Sequence, residues 1–321
     1  MNILITSVGR RVSLVKAFQK ELKAIFRNGQ VMVTDFNVSL SAGCQVADCA
    51  FQMPLVEDKN YINILLDICL KQEIKLVIPT IDTELLILAK HSNMFNSHGI
   101  MVIVSSESFI EVCRNKRDTH LFFKKHDIQV AREYPKLDYS LPLFIKPLRG
   151  SRSVDTHIIK HEEELTSYHF KNPNLMFLEY LDHNNFEEFT CDLYYDKQHH
   201  LKCVVPRKRI EVRDGEVSKG LTVKNELVPY ITSHLDYIEG VIGCLTTQFF
   251  KHKLDGSIFG IEINARFGGG FPLTYLAGAN YVKWIIQEYF LNQPVTVFND
   301  WESNLLMLRY DNEILVHDYK K

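Results

Sequence analysis

Two patterns of hydrophobic and polar positions divide the chain. In the first hundred residues, short runs rich in β-branched residues alternate with stretches whose apolar positions recur at helical spacing. This alternation predicts a parallel sheet covered by helices. The predicted strands span residues 2–7, 30–34, 75–79 and 100–104, and the predicted helices span 12–26, 61–72 and 82–92. We therefore expect a Rossmann-like α/β layer at the N-terminus.

After about residue 105 strands predominate. The pattern predicts strands at 143–146, 175–180, 188–196, 199–205, 246–253 and 257–264, and helices at 107–126, 226–245 and 274–292. Asp196-Lys197, Asp214-Gly215 and Asp255-Gly256 are typical of hairpin turns, so we expect antiparallel sheets here. We predict an N-terminal α/β domain over residues 1–105, a small lobe over 106–181, and a large lobe with a C-terminal tail over 182–321.

Composition narrows the class of protein. The 37 Lys and Arg residues nearly balance 39 Asp and Glu residues, giving a formal net charge of −2. The chain therefore lacks the overall basic field that drives nucleic-acid binding. Its seven cysteines are dispersed and never fall in CxxC spacing, which favours a reducing compartment. With no recognisable signal peptide or bilayer-spanning apolar run, we expect a cytoplasmic protein without a nucleic-acid or membrane partner.

The loop after the first predicted strand tests whether the N-terminal layer binds a dinucleotide. It reads Ser7-Val8-Gly9-Arg10-Arg11, with one glycine where the dinucleotide fingerprint needs three. An NAD-dependent oxidoreductase is therefore disfavoured. Arg10 and Arg11, at a strand end close to a helix N-terminus, suit an anionic group or an ordinary solvated surface.

The last predicted hairpin carries a candidate metal site. Glu262 and Asn264 are two residues apart on an otherwise apolar strand, so they project from one face, as on a solvated sheet or a Mg²⁺ site. Whether Gln248 joins them depends on the hairpin loop. A two-residue Asp255-Gly256 loop pairs Gln248 with Ile263, whereas a three- or five-residue loop pairs it with Glu262. The metal hypothesis predicts the longer loop.

Arg266 continues the alternation of Glu262 and Asn264, and the glycines 268–270 follow it. Glycines let backbone N–H groups approach an anion closely. Phosphate chemistry beside a metal site is therefore the leading hypothesis.

These motifs resemble those of ATP-grasp proteins of the carbamoyl-phosphate synthase large chain-like and carboxylate–amine ligase group, over nearly the whole chain. The resemblance implies an N-terminal α/β domain followed by two α+β lobes that hold ATP between antiparallel sheets. The family's two ATP lysines would correspond to Lys116, which otherwise reads as a surface lysine, and Lys146, in Phe144-Ile145-Lys146-Pro147. Because an apolar run precedes Lys146, we expect its stem to be partly buried and its charge to need an anionic partner.

The same resemblance implies further ATP positions. The segment Gly150-Ser151-Arg152-Ser153 resembles the mobile loop that covers the phosphates, with Arg152 in place of the usual second glycine. Residues 178–181 resemble the hinge that reads adenine through backbone groups, and Glu188 resembles the ribose-binding carboxylate, with Glu187 as the alternative. The implied ATP-binding residues are Lys116, Lys146, Gly150, Ser151, Ser153, Glu179, Tyr180, Leu181 and Glu188.

The second substrate is less well defined. The basic stretch 207–209, with Arg213 and Lys219 predicted in the following turn, would bind an acidic substrate, stabilise an acyl phosphate, or be a solvated strand. Asp82 and Glu84 begin a helix at the edge where ligands collect in open α/β sheets, although acids are ordinary at helix N-termini. The candidate catalytic residues are Arg266 and Lys219, and the candidate substrate residues are Arg10, Arg11, Asp82, Glu84, Arg207 and Arg209.

The resemblance implies an ATP-dependent, ADP-forming ligase that uses Mg²⁺ or Mn²⁺ and activates a small carboxylate as an acyl phosphate for attack by an amine. Gln248, Glu262 and Asn264 would hold the metal. Carbamoyl-phosphate synthase-type or kinase-like phosphoryl transfer to a carboxylate, and non-catalytic ATP binding, are alternatives. The length suits one ATP-grasp unit, and the sequence leaves a homodimer open. The 13 histidines show neither HxH nor HExxH spacing and are assigned no role.

Overall fold

The computed structural model describes residues 1–150, 154–213, 216–317 and 319. Within these ranges the strands form a parallel sheet, a small antiparallel sheet and a larger antiparallel sheet. The predicted fold class, α/β followed by α+β with antiparallel sheets, is confirmed. In the same ranges, no helix combines the length and the apolar character that crossing a bilayer requires.

The parallel sheet has β1 at its centre, paired with β2 on one side and β4 on the other, in the order β3-β2-β1-β4-β5. Its strands are β1 (Asn2–Ile5), β2 (Gln30–Asp35), β3 (Cys49–Gln52), β4 (Ile74–Ile78) and β5 (Met101–Val102). Its helices are α1 (Val12–Ile25), α2 (Ala42–Val46), α3 (Tyr61–Lys71) and α4 (Asp82–Ser97). The sequence pattern missed β3 and α2 because each is too short to establish a period.

The helix predicted over residues 107–126 is wrong as one element, because it is two helices. They are α5 (Glu107–Arg114) and α6 (Lys116–Lys125). Asn115 between them is extended, and its side chain caps α6 by accepting a hydrogen bond from the backbone N–H of Arg117. The break makes Lys116 the first residue of α6.

The small sheet follows these helices and has the order β6-β9-β7-β8. Its strands are β6 (Glu133–Tyr134), β7 (Leu143–Pro147), β8 (His157–Ile159) and β9 (Leu175–Glu179), with helix α7 (Ser167–Lys171) before β9. β7 pairs with both β8 and β9. Lys146 therefore lies near the end of a central strand.

The large sheet has the order β14-β13-β10-β11-β12-β15. Its strands are β10 (Phe186–Tyr195), β11 (Leu201–Arg213), β12 (Glu216–Thr222), β13 (Gly243–His252), β14 (Ile258–Asn264) and β15 (Leu306–Leu308). β11 continues past residue 205 because β12 pairs with it. The placement of Arg213 and Lys219 in a turn is therefore wrong: Arg213 ends β11 and Lys219 lies within β12. The Asp214-Gly215 turn falls outside the described residues.

The later helices are α8 (Leu227–His234), α9 (Phe271–Leu276) and α10 (Tyr281–Leu291). The helix predicted over 226–245 is wrong beyond His234, because Gly240 and Gly243 have φ of 76° and 72° and β13 begins there. The helix predicted over 274–292 is interrupted at Gly278, where φ is 101°. A left-handed φ cannot continue a right-handed helix.

The hairpin of β13 and β14 has the register that the metal hypothesis needs, but by an unexpected route. Gln248 lies opposite Glu262. The loop is neither three nor five residues long: it spans residues 253–256, because the backbone N–H of His252 donates to the Ser257 carbonyl at 2.8 Å. A bulge at Ile261 supplies the extra residue that shifts the pairing.

The two faces of the large sheet differ in character. One face buries Phe189, Leu245 and Phe249 in the core with α8. Because side chains alternate along strands, the other face carries Glu188 on β10 and Gln248 on β13. This polar face borders the cleft between the two antiparallel sheets.

Candidate nucleotide and metal site

The cleft between the small and large sheets contains a cavity of about 100 Å³. Apolar walls come from Phe144 and Leu178 of the small sheet and from Phe250 and Ile261 of the large sheet. The predicted hinge residues also line it, namely Glu179, Tyr180 and Leu181. A mostly apolar slot lined by the hinge residues suits a flat base.

The predicted metal residues lie together at one end of this cleft. Glu262 Oε1 accepts hydrogen bonds from Gln248 Nε2 at 2.9 Å and from Asn264 Nδ2 at 3.0 Å. One carboxylate flanked by two amides offers hard oxygen ligands and so fits Mg²⁺. Within the described ranges, no group of three His, Cys, Asp or Glu side chains gathers as a metal site. A cation on this low-charge cluster would therefore need further oxygen ligands, such as phosphates.

Lys146 is a buried cation that faces the same cleft. Its side chain is 6% exposed, and among the described residues no acceptor receives a hydrogen bond from Nζ. Burial lowers the pKa of Lys146 to about 8, opposed by the charge of Glu262 and reinforced by Lys116. The position fits an anionic ligand, since a buried charge needs a partner.

Lys116 approaches the cleft from the start of α6. Its Nζ donates to the Gly150 carbonyl at 2.8 Å, and its backbone N–H donates to the Leu148 carbonyl. Burial lowers the pKa of Lys116, and Glu262 partly offsets this. Lys116, Lys146 and Gly150 thus lie around one point, whereas Ser151, Arg152 and Ser153 fall outside the described residues.

Glu188 and Glu187 lie on opposite faces of β10. Glu188 pairs with Phe250, which lines the cavity, and accepts a hydrogen bond from Arg209 Nη1 at 2.9 Å. Glu187 instead pairs with Lys208 at 2.6 Å. Nε of Arg209 is buried without a hydrogen-bond partner in the described structure. The register therefore favours Glu188 over Glu187 as the acid beside the cavity.

Arg266 connects the metal cluster with the parallel-sheet layer. Its Nη2 donates to Asp82 Oδ2 at 2.6 Å, and its Nε donates to the same oxygen at 3.1 Å. Arg11 lies beside it and donates to the carbonyls of Thr80 and Phe267. Burial, aided by the charge of Arg266, lowers the pKa of Arg11 to about 10. Of these two guanidinium groups, Arg266 is the one bonded to the Asp82 carboxylate.

Arg207 is engaged within the protein. It is 2% exposed and forms a bidentate pair with Asp192, which also accepts hydrogen bonds from Thr246 and Thr274. Such a satisfied buried pair stabilises one arrangement of β10, β11 and α9. Asp192 carries no local signal in the sequence, because its approach to Arg207 depends on the pairing of β10 with β11.

Glu84 is also internal. It is fully buried and accepts hydrogen bonds from the hydroxyls of Thr6, Ser7 and Tyr61. Burial raises the pKa of Glu84, and these donors oppose the change. The group holds the carboxyl ends of β1 and β4 together and is not exposed to a ligand.

Two further candidates, Arg10 and Lys219, form ion pairs at the surface. Arg10 contacts Glu216 at 3.4 Å, and Lys219 contacts Glu211 at 2.6 Å. The side chain of Lys219 is 47% exposed. The structure therefore does not bring Lys219 into the cluster formed by Glu262, Lys116 and Lys146.

The glycines after Arg266 serve close packing. A Cβ atom on Gly270 would lie 2.0 Å from Nη1 of Arg207, and one on Gly269 would lie 2.9 Å from the Glu216 carboxyl carbon. At Gly270 the buried, paired Arg207 side chain leaves no room for a Cβ atom whether or not a phosphate is bound, whereas at Gly269 the end of the Glu216 side chain could move. Sequence reasoning attributed these glycines to anion binding alone.

His120 lines the base-sized cavity but was not a sequence candidate. It lies four residues after Lys116, so both project from the same face of α6. That spacing is the signal in the sequence that could have identified it.

Two family models match the chain. Residues 3–103 match the model described as PylC-like, N-terminal domain. Residues 171–310 match the model described as ATP-grasp in the biosynthetic pathway with Ter operon. Comparison of the sequence with curated proteins finds no significant match.

Solved structures share the fold at low sequence identity. The biotin carboxylase domain of Hydrogenobacter thermophilus 2-oxoglutarate carboxylase, a complex with MgADP, ADP and bicarbonate, is 16% identical with a TM-score of 0.72, covering 95% of this chain and 73% of that one. The ADP complex of N5-carboxyaminoimidazole ribonucleotide synthetase is 18% identical with a TM-score of 0.71, covering 96% and 81%. L-amino acid ligase from Bacillus licheniformis is 18% identical with a TM-score of 0.67, covering 90% and 73%.

The family matches agree with the architecture described above. The first corresponds to the parallel-sheet layer, and the second includes the large antiparallel sheet with the Glu262 cluster. The chain therefore resembles ATP-grasp proteins over residues 171–310 and a PylC-like N-terminal domain over residues 3–103.

Proposed function

We propose that this chain is an ATP-dependent, ADP-forming ligase that activates a small carboxylate as an acyl phosphate and joins it to an amine. The observation that carries the proposal is the convergence of Lys116, Lys146 and Glu262 beside a base-sized cavity. Lys146 is a buried cation without an acceptor among the described residues, and the phosphates of a nucleotide would supply one. The MgADP complex and the amino acid ligase among the similar structures support the same function.

The geometry favours one placement of the nucleotide. The base would occupy the cavity against the backbone of residues 179–181, and the phosphates would lie between Lys116 and Lys146. Glu188 would bind the ribose hydroxyls, because it is on the cavity side of β10. Gln248, Glu262 and Asn264 would hold Mg²⁺, which supplies charge neutralisation for the transferring phosphoryl group.

The proposed chemistry has two displacements. A carboxylate oxygen of the substrate attacks the γ-phosphorus, the bond from that phosphorus to the β–γ bridging oxygen breaks, and ADP leaves. The amine nitrogen then attacks the acyl carbon, the carbon–oxygen bond to phosphate breaks, and the nitrogen releases a proton to solvent. The protein contributes position and charge, with Arg266 near the transferring group.

The second substrate would bind where Arg266 meets the parallel-sheet layer. Arg266 is bonded to Asp82, whereas Arg11 donates to backbone carbonyls and carries a positive charge that no described carboxylate bonds directly. A substrate carboxylate would balance it. The proposal leaves out Lys219 as a catalytic group, because its exposed pair with Glu211 lies on β11 and β12.

The metal assignment makes the central prediction. Glu262→Ala should lower Mg²⁺-dependent ADP formation by about 100-fold or more, because the only carboxylate of the cluster is removed. ADP release is measured with a coupled assay at saturating ATP, with folding checked by thermal denaturation. Glu211→Ala is the matched control, since that glutamate forms an exposed pair with Lys219 and should retain full activity. Wild-type rates in Glu262→Ala would show that the metal assignment is wrong.

The reaction class is tested by measuring ADP release across pairs of small carboxylates and amines. The ligase proposal requires ADP formation that depends on the carboxylate and a product that contains the amine. ADP formed with a carboxylate alone, with a stable acyl phosphate as the product, would favour kinase-like transfer. ADP and ATP binding without turnover across the full set would contradict the catalytic proposal.

A further inference from the structure

His120 is a buried polar side chain at the base end of the cleft. It is 5% exposed and lines the cavity together with the hinge residues. Lys116, one turn earlier on α6, instead contacts the Gly150 carbonyl near the metal cluster. One face of α6 therefore presents a cation toward the phosphate end and an imidazole toward the base end.

The imidazole has no partner within the described structure. Other histidines there, such as His126 at the C-terminal cap of the same helix, bond a backbone carbonyl: His126 Nδ1 lies 2.9 Å from the Phe122 carbonyl oxygen. For His120, no hydrogen bond to either ring nitrogen is formed by any described residue. An imidazole at the cavity wall without a protein hydrogen bond can bond a ligand there.

The ring is held neutral. Burial lowers the pKa of His120 to about 3, with further lowering by the positive charges of Lys146, Lys124 and Arg117. A neutral imidazole has one N–H donor and one nitrogen acceptor. Such a group complements the alternating donors and acceptors on the edge of a purine better than it complements phosphate.

Helix packing fixes the position of this ring. Gly260 on β14 has no side chain, and a Cβ atom there would lie 2.6 Å from the ring of Phe123. Phe123 is fully buried and follows His120 by less than one turn. The close approach of α6 to β14 therefore holds His120 at the cavity wall.

We propose that His120 hydrogen-bonds the base of the bound nucleotide and is a base-recognition residue of this site. The inference rests on the proposed function, since it requires a nucleotide in the cavity. The proposed nucleotide site places Lys116 and Lys146 at the phosphates, and His120 would add a contact to the base.

The test compares nucleotide binding with and without the imidazole. In His120→Phe, the affinity for ADP should fall roughly 5- to 10-fold, the value of one neutral hydrogen bond. The affinity for adenosine should fall by the same factor, because both ligands carry the base. Both are measured by displacement of a fluorescent ATP analogue. His120→Leu should give the same loss, which separates the hydrogen bond from ring size, and His120→Asn should restore part of it.

Matched measurements separate recognition from folding. The ligand-free melting temperature of His120→Phe should be unchanged or raised, because no protein hydrogen bond is lost. His126→Phe, at the C-terminal cap of the same helix but outside the cavity, should bind ADP as the wild type does. If wild-type protein fails to bind ADP, the proposed function and this inference both fail. Suppose instead that the wild type binds ADP. If the His120 variants then bind ADP equally well, or lose ADP affinity but keep adenosine affinity, the base-recognition role of His120 is wrong and the proposed function is unaffected.

Discussion

Lys146 shows at the scale of one residue how burial can prepare a binding site. Its ammonium is desolvated before any ligand arrives, and its pKa falls to about 8. The pKa of the same group in the unfolded chain is 10.5. Between these two pH values the folded protein holds fewer protons than the unfolded chain, so this group makes stability rise with pH there. A nucleotide reverses the shift, because phosphate charge favours the ammonium form.

Proton uptake on binding is therefore expected. With metal-free ADP near pH 9, calorimetry in two buffers of different ionisation enthalpy should reveal net proton uptake, which should vanish near pH 6.5. Lys146→Met should remove the uptake and weaken ADP binding about 10- to 100-fold, the range for hydrogen bonds to charged groups. Lys219→Met, which alters an exposed lysine, is the control and should preserve both. Uptake that persists in Lys146→Met would assign the proton to another group.

At the scale of elements, the site depends on how α6 packs against β14 and on the register of β14. The bulge at Ile261 brings Glu262 opposite Gln248, and Gly260 immediately before it lets α6 approach. The register of β14 is thus set at Ile261, and the approach of α6 to β14 is set at the neighbouring Gly260. Lys116 and Glu262 are close enough to interact because both conditions are met.

Gly260→Ala tests this packing. The new methyl group would overlap the Phe123 ring, so we expect a loss of about 1–3 kcal/mol in the free energy of unfolding. ADP affinity should fall with it, because α6 carries Lys116 and His120. Urea denaturation and nucleotide titration measure the two effects.

Phe123→Leu supplies the matching control, since it makes room for the methyl group. In the double variant, the stability loss should be smaller than the sum of the two single losses. Additive losses would mean that the contact between Gly260 and Phe123 does not set the helix position.

At the scale of the whole molecule, Asp82 connects the parallel-sheet layer with the proposed nucleotide cleft. It begins α4, and its carboxylate holds Nε and Nη2 of Arg266. The boundaries at 105/106 and 181/182 stay predictions. The ion pair between Asp82 and Arg266 nonetheless provides a physical reason for the N-terminal layer to affect the proposed phosphoryl transfer.

Asp82→Asn should reduce the maximal rate of ADP formation about 10- to 100-fold, because the charged hydrogen bonds that orient Arg266 are weakened. ADP affinity should change little, since Asp82 lies outside the base cavity. Steady-state kinetics and nucleotide titration separate these effects. Asp67→Asn, which alters an exposed pair with Lys71 in the same layer, should leave both unchanged. An equal loss of ADP affinity in Asp82→Asn would contradict a role confined to Arg266.

Much of the fold and many site positions could be predicted from local patterns. Alternation identified the parallel layer and the later strands, and the motifs around Lys146 and Glu262 indicated nucleotide and metal chemistry. The errors fall where local pattern is ambiguous. The run 226–245 remains apolar through a change from helix to strand, and Arg207 resembles a surface cation although it is buried against Asp192.

The sequence by itself predicted the parallel layer, the later strands and the position of Glu262 and Asn264 on one face, because these follow from spacing within a strand or helix. The two lysine positions follow from the resemblance to ATP-grasp proteins and stay predictions. Only the tertiary structure decided which partner each charge has. Gln248 joins Glu262 through a bulge, Asp82 reaches Arg266 from another layer, and His120 lacks any partner in the described structure. Register and packing between distant segments set these contacts, and neither is written in the local pattern of residues.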